Sequence, residues 1–337
     1  MQQDSFRVDL LSDNKEVENS GNRSFAIDYD RNSFVMNGKP FRYISGTIHY
    51  YQTYLAWNWH EPVKGKFQFT GDQDVVRFLQ LAQRLGIYVI LRLGPYMDAE
   101  QDMGGFPAWL LKHPNIGLRK TDAVYQRAVQ DFYEVALPML RPLLYPNGGP
   151  VIMVQVENEY GSYYACDRDY THWLLQLVQR LLATDDIVYF TTDGDADSYL
   201  KCGVINGTYA TVDFGATSAT GVQNGFTAQR HYSPKGPLVN SEFYPGWFDM
   251  WGRIPHSTVE IQPVLNTMTY MYRKNASFNF YPLHGGTNWG WQAGAEAYPD
   301  GFGTVSTSYD FDAPISESGD LTPKWYAIRQ HIQRLSM

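Results

Sequence analysis

Long apolar runs are missing from this chain, and so are basic tracts, metal-ligand motifs and all but two cysteines. No uninterrupted apolar stretch reaches the ~18 residues that read as a spanning helix, so no membrane span is expected. Positive charge is scarce: 27 Lys and Arg stand against 35 Asp and Glu, for a net charge of −8. That balance excludes a nucleic-acid binder that tracks phosphates with clustered cations. The histidines show neither His-Glu-x-x-His nor Cys/His ligand spacing, so no catalytic metal is expected. No Gly-x-Gly-x-x-Gly follows the first strand-like run, and there is no Gly-x-Ser-x-Gly elbow or phosphate loop, so no cofactor is implied. Residues 1–24 carry neither the basic start and apolar stretch of a secretory signal nor any apolar period, and they read as a flexible polar leader.

Aromatic residues are abundant instead, at 15% of the chain. Large flat side chains beyond what a core needs often serve binding sites. The length of 337 residues accommodates one large α/β barrel without disulfide or metal staples. Residues 25–41 carry a hairpin signal with an Asn37-Gly38 turn. Eight β-rich runs follow, over 41–49, 52–57, 87–93, 151–156, 187–191, 209–214, 237–243 and 277–283. They are nearly continuous in apolar character, as strands buried on both faces are. Between them lie helical periods such as Val75, Phe78, Leu79, Ala82 and Leu85, or Trp173, Leu174, Leu177, Val178 and Leu181. The pattern predicts a (β/α)8 TIM barrel over residues 25–337, with its site at the C-terminal ends of the strands. One junction does not fit. Tyr50-Tyr51 cannot carry the chain back for a parallel partner, which needs a crossover of at least about ten residues, so the first β/α unit is expected to be incomplete.

Two acids stand at predicted strand ends. The fourth run exits into Glu157-Asn158-Glu159-Tyr160-Gly161, and the seventh exits as Asn240-Ser241-Glu242. In a barrel both tips face one cavity. Cleaving a glycosidic bond needs one carboxylic acid to protonate the leaving oxygen and one carboxylate to attack the anomeric carbon or activate water. A separation of about 5 Å retains configuration and about 6.5–9.5 Å inverts it. For Glu159 to donate a proton, burial or the neighbouring Glu242 charge must raise its pKa. The other reading of both acids is capping or salt bridging at strand ends. Asn158 can hydrogen-bond a sugar hydroxyl, and Tyr54, Trp57, Tyr96, Tyr160, Tyr163, Tyr164, Trp247, Tyr281, Trp289 and Trp291 are candidate platforms for sugar faces, or rim packing. Asp193, Asp195 and Asp197 read as a solvated turn. Cys166 and Cys202 follow the fourth and fifth runs on the same rim, and a disulfide between these loops is expected. Three sequons, at Asn22, Asn206 and Asn275, suit a secreted or lumenal protein.

The motifs Trp57-Asn-Trp-His-Glu-Pro62, Gly94-Pro-Tyr, Met103-Gly-Gly, Val154-Gln-Val-Glu-Asn-Glu-Tyr-Gly161, Gly236-Pro-Leu-Val-Asn-Ser-Glu-Phe-Tyr244 and Gly285-Gly-Thr-Asn288 carry a resemblance over residues 25–335. The chain resembles the lysosomal acid β-galactosidase type of glycoside hydrolase family 35. The resemblance implies a retaining exo-β-galactosidase acting on glycolipid, glycoprotein or oligosaccharide galactosides, lysosomal or secreted, with a homodimer compatible. It implies Glu159 as acid/base and Glu242 as nucleophile. Tyr54, Glu100, Asn158, Trp247 and Tyr281 match positions lining the galactose pocket, and Cys166 and Cys202 match a family disulfide. The chain departs from the pattern in lacking an internal segment after Tyr50, in Asp98 and Phe311, and in lacking the family's β-rich C-terminal domains. A non-catalytic form that keeps only sugar or protein binding is the competing expectation.

Overall fold

The computed structural model describes residues 23–49, 54–184, 186–298 and 301–335. Most of the leader expected over residues 1–24 lies outside them, but Arg23 is anchored: its guanidinium donates to the carbonyls of Gly148 and Gly149 and lies 4.1 Å from the Tyr145 ring centre.

The chain opens with an antiparallel sheet of β1 (Phe25–Asp28), β2 (Ser33–Met36) and β3 (Lys39–Phe41). Asn37 and Gly38 both take positive φ, 50° and 77°, as the tight Asn-Gly hairpin turn requires. Phe25, Phe34 and Phe41 pack against Tyr43, Ile152, Met153, Val188 and Val239. This sheet therefore plugs the end of the main sheet where the strands begin, leaving the other end for a cavity.

The main sheet holds seven strands: β4 (Ile44–Ile48), β5 (Val89–Arg92), β6 (Val151–Gln155), β7 (Val188–Gly194), β8 (Tyr209–Asp213), β9 (Val239–Phe243) and β10 (Ser277–His284). Their order is β4-β10-β9-β8-β7-β6-β5, with every pairing parallel. β6, β8 and β9 are buried at every residue, which explains their unbroken apolar reading. Short strands β11 (Gly286–Thr287), β12 (Ala295–Tyr298), β13 (Gly301–Thr304) and β14 (Ser308–Tyr309) pair as β11–β14 and β12–β13.

The expected strand over 52–57 is a correction. Among the described residues it is reduced to a bridge, Tyr54 to Arg92, with Leu55 N–H donating to Arg92 O at 2.8 Å. The chain then coils into the single turn α1 (Trp57–His60), closed by His60 N–H on Ala56 O at 3.0 Å. No strand pairs with the free side of β4 among the described residues, and no crossover helix separates it from Tyr54. The fold is an incomplete (β/α)8 barrel, open at its first unit.

Seven more helices follow: α2 (Val75–Arg84), α3 (Ala123–Leu140), α4 (Arg168–Leu182), α5 (Asp197–Gly203), α6 (Ala219–Tyr232), α7 (Ile261–Arg273) and α8 (Pro323–Leu335). The first three are N-capped by Asp74, Asp122 and Asp167, whose carboxylates accept otherwise orphaned backbone N–H groups. α3 and α4 bury Tyr125, Val129, Phe132, Leu174, Leu177 and Val178 in one core with β5 and β6. Cys166 and Cys202 are joined, with Cα atoms 5.1 Å apart, tying the loop after β6 to α5. The sequon asparagines Asn206 and Asn275 are exposed; Asn22 lies outside the described residues. No described helix is long and apolar enough to cross a membrane.

Candidate active site

At the C-terminal ends of the strands lies a cavity of about 740 Å³, lined by Tyr54, Asp98, Glu100, Asn158, Glu159, Glu242, Trp247 and Tyr281 among others. The two candidate acids and the five residues matched to a galactose pocket all line this one space.

Glu242 is the last residue but one of β9, so the strand itself fixes its position. Its Oε1 is ion-paired with Arg92, and Tyr54 Oη, which donates its proton to Asn158 Oδ1 at 2.9 Å, lies 3.5 Å from the same oxygen. Tyr244 Oη donates to Oε2 at 3.2 Å. Arg92 reaches from the end of β5, is 3% exposed, and also donates to Gln155 and Asn158 at 2.8 Å. Glu242 thus sits in the cavity with a buried cation and two phenols arranged around its charge.

Glu159 follows β6 in left-handed backbone, φ 43°, held by its N–H on Thr192 O at 3.1 Å. Its carboxyl makes no hydrogen bond among the described residues. Burial, reinforced by the charges of Asp213, Glu242 and Asp98, holds its pKa well above the usual carboxylate value. The two acids therefore differ in environment: one is raised toward its protonated form, the other has a counter-ion.

Asn158 Oδ1 accepts from Tyr54 Oη, Arg92 Nη2 and Gln155 Nε2 at 2.8–2.9 Å. Three donors on one oxygen settle the amide's orientation and leave Nδ2 as a donor available to the cavity. Glu100 accepts from Tyr309 Oη, and burial together with the Asp98 charge raises its pKa strongly. Asp98 accepts from Tyr96 Oη at 3.2 Å and is likewise raised by burial and by Glu242.

Beneath the Glu159 loop is a second ion pair, which the sequence did not reveal. Arg119 bonds Glu157 at 2.8 Å and donates to Asn158 O at 2.6 Å, while Tyr96 covers its face at 3.9 Å and Tyr170 Oη donates to Glu157 at 2.7 Å. Several aromatic platforms are corrected here. Trp57 is fully buried in the core against Phe132, Tyr160 is buried with its Oη on Arg119 O, and Trp291 is exposed and lines no part of this cavity. Asp193 is not a solvated turn but is buried in β7, accepting from Gly161 N–H at 2.8 Å.

This density of buried carboxyls sets a pH dependence of stability. Asp98, Glu100, Glu159, Asp193 and Asp213 are all raised chiefly by burial, and Glu296 is pushed up to about 7. A raised folded-state pKa means that the native state holds protons which the unfolded chain releases above about pH 4, so stability falls as pH rises. His49, lowered to about 4 by burial, and the lowered His60, His284 and His331 act oppositely, but their effect fades above about pH 6.5 as the unfolded imidazoles lose their protons. The melting temperature should therefore fall between pH 6.5 and 8, and Glu296→Gln should flatten that slope. A midpoint that rises over this interval would contradict the protonated cluster.

Residues 51–335 match the profile of Glycosyl hydrolases family 35. Human Beta-galactosidase is 48% identical over 347 residues, covering 96% of this chain and 50% of that protein. The mouse Beta-galactosidase-1-like protein is 45% identical over 334 residues, covering 93% and 51%. The alignment to the human protein is longer than the 337-residue chain, so that relative carries residues within the matched region that this chain lacks. The chain spans about half the length of the curated relatives it matches. Among solved structures, a cold-adapted β-galactosidase from Rahnella sp. R3 superposes with a TM-score of 0.57 at 12% identity, over 88% of this chain and 55% of that one. A β-D-glucuronidase from Dictyoglomus thermophilum gives 0.56 at 12%, over 93% and 53%. These two support the barrel fold alone. Family profile, relatives and fold agree, and the chain belongs to glycosyl hydrolase family 35.

Proposed function

We propose that this chain is a catalytic domain that removes terminal non-reducing β-D-galactosyl residues from glycoconjugates with retention of configuration. The observation that carries the reading is the unlike pair at the ends of β6 and β9: Glu159 half-buried, its carboxyl without a hydrogen bond among the described residues and its pKa raised by burial and nearby carboxylates, and Glu242 ion-paired to Arg92. Glu242 attacks the anomeric carbon while Glu159 protonates the departing glycosidic oxygen. This gives a galactosyl ester on Glu242 and a free aglycone alcohol. Water, deprotonated by Glu159, then cleaves the ester and releases galactose. Asn158 Nδ2 and Glu100 are the polar partners for sugar hydroxyls, with Trp247 and Tyr281 against the ring. The human and mouse relatives named Beta-galactosidase support galactose as the sugar. The disulfide and the exposed sequons suit a lysosomal or secreted setting.

An activated aryl 2-deoxy-2-fluoro-β-galactoside tests this reading. The fluorine slows both steps, so the ester accumulates and Glu242 should carry a galactosyl mass adduct. The second reading, a barrel too damaged to act, is favoured by the open junction between β4 and Tyr54. It predicts no adduct and a melt without cooperativity.

A further inference from the structure

We propose that Glu296 makes this cavity select leaving groups by charge, accepting neutral or cationic aglycones and disfavouring those with a carboxylate or sulfate near the scissile bond. The proposal rests on the galactosidase reading above and concerns the half of the cavity that reading does not use.

The β12–β13 hairpin forms a wall of the cavity, which Ala295, Glu296, Ala297 and Tyr298 line. It is clamped in place on two sides. Gly294 N–H donates to Glu100 O at 2.9 Å and Asp102 N–H to Gln292 O at 2.7 Å, while Trp251 N–H donates to Thr304 O at 2.9 Å. The depth of the cavity runs from buried Glu242, Tyr54 and Tyr281 to exposed Ala295, Ala297 and Tyr298. An enzyme that removes a terminal sugar takes that sugar in first, so the aglycone rests at the mouth, against this hairpin.

No unengaged cation lines this wall among the described residues. Glu296 makes no salt bridge or hydrogen bond among the described residues, and its neighbours Asp98 and Glu100 are also carboxyls. Arg119, the one basic residue lining the cavity among the described residues, is engaged by Glu157 and Asn158 O and covered by Tyr96. Arg92, deeper, is engaged by Glu242. An anionic aglycone would meet Glu296 and Asp98 in a partly dry wall without a compensating cation, where like charges repel far more than in bulk water.

Burial and the Asp98 charge push the Glu296 carboxyl up to about 7. Tyr96 and Glu100 are the other titratable groups coupled to it; the phenol stays neutral, and Asp98 and Glu100 ionise in the same direction as Glu296. Discrimination should therefore strengthen as pH rises through 7.

The test uses three aryl β-galactosides of matched leaving-group acidity, bearing a carboxylate, no charge or a trimethylammonium group. The ratio of kcat/KM for the cationic over the anionic substrate should be roughly tenfold or more at pH 8 and smaller at pH 5. Glu296→Gln should shrink the pH 8 ratio several-fold, and Glu296→Lys should bring it to unity or below. Turnover with a ratio that neither variant alters overturns the proposal alone. No turnover of any of the three by the parent overturns the galactosidase reading, and the proposal with it.

Discussion

Glu242→Gln is expected to lower kcat on an activated aryl β-galactoside by on the order of 10³-fold or more, while galactose still binds. The amide keeps the size and the acceptor oxygen of the carboxylate, so Tyr54 and Tyr244 retain a partner, but it cannot form the ester on which turnover depends. The variant also removes the negative partner of Arg92, which is 3% exposed. Breaking a buried ion pair costs about 3–5 kcal/mol. That figure is an upper bound here, because Gln155, Asn158 and the Tyr54 ring at 4.1 Å still meet the guanidinium. Steady-state kinetics beside galactose-binding calorimetry separates the two effects. A variant turning over within tenfold of the parent would remove Glu242 from the role of nucleophile.

The largest loss of stability is expected for Arg119→Met. Arg119 and Glu157 are both buried, with Glu157 1% exposed, and removing the cation leaves an uncompensated carboxylate at a cost of about 3–5 kcal/mol. Activity should fall as well. Glu157 and Glu159 both hold positive φ, 62° and 43°, a backbone that non-glycine residues keep only where the surroundings enforce it. Arg119 enforces it through its bonds to the Glu157 carboxylate and to Asn158 O. The double variant Arg119→Met/Glu157→Leu should recover part of the stability, since no lone charge remains, yet little of the activity. Denaturant unfolding of the parent, the two single variants and the double variant measures the coupling, and a cost below about 1 kcal/mol for Arg119→Met would mean that the pair is no buried charge pair at all.

Much of this site could be read from the chain because strand ends announce themselves. Val151–Gln155 and Val239–Phe243 are buried throughout, so acids at their C-terminal ends stand out against the apolar run that places them. Arg119 gave no such sign: it follows no periodic segment, and its partner is 38 positions away. Glu296 lies in a hairpin whose contacts are backbone bonds to a loop nearly two hundred residues earlier, which no local pattern encodes. Asp193 misled because the alternation Asp193, Asp195, Asp197 looks like a solvated turn. In fact β7 runs on to Gly194, and Gly161 and Gly203 approach the Asp193 carboxyl so closely that a Cβ on either would collide with it. The strand expected over 52–57 failed for a different reason. A strand persists only with a partner along its length, and of this run, whose residues 52 and 53 lie outside the described residues, the described part meets β5 at one residue before turning into α1.

The opening between β4 and Tyr54 bears unequally on the two glutamates. β6, β7, β8 and β9 are consecutive in the ladder, so the interval from Glu159 to Glu242 is measured out by unbroken strand pairing and does not pass through the gap. Arg92, however, leaves the terminal strand β5 and crosses the interior to Glu242 on β9, as a bowstring ties one end of a bow to a point well along its arc. The sheet's curvature is thus braced from within by the carboxylate assigned to attack the sugar. If Glu242 takes the proposed role of nucleophile, its ester is neutral, the string slackens, and each turnover should pass through a slightly more open bow.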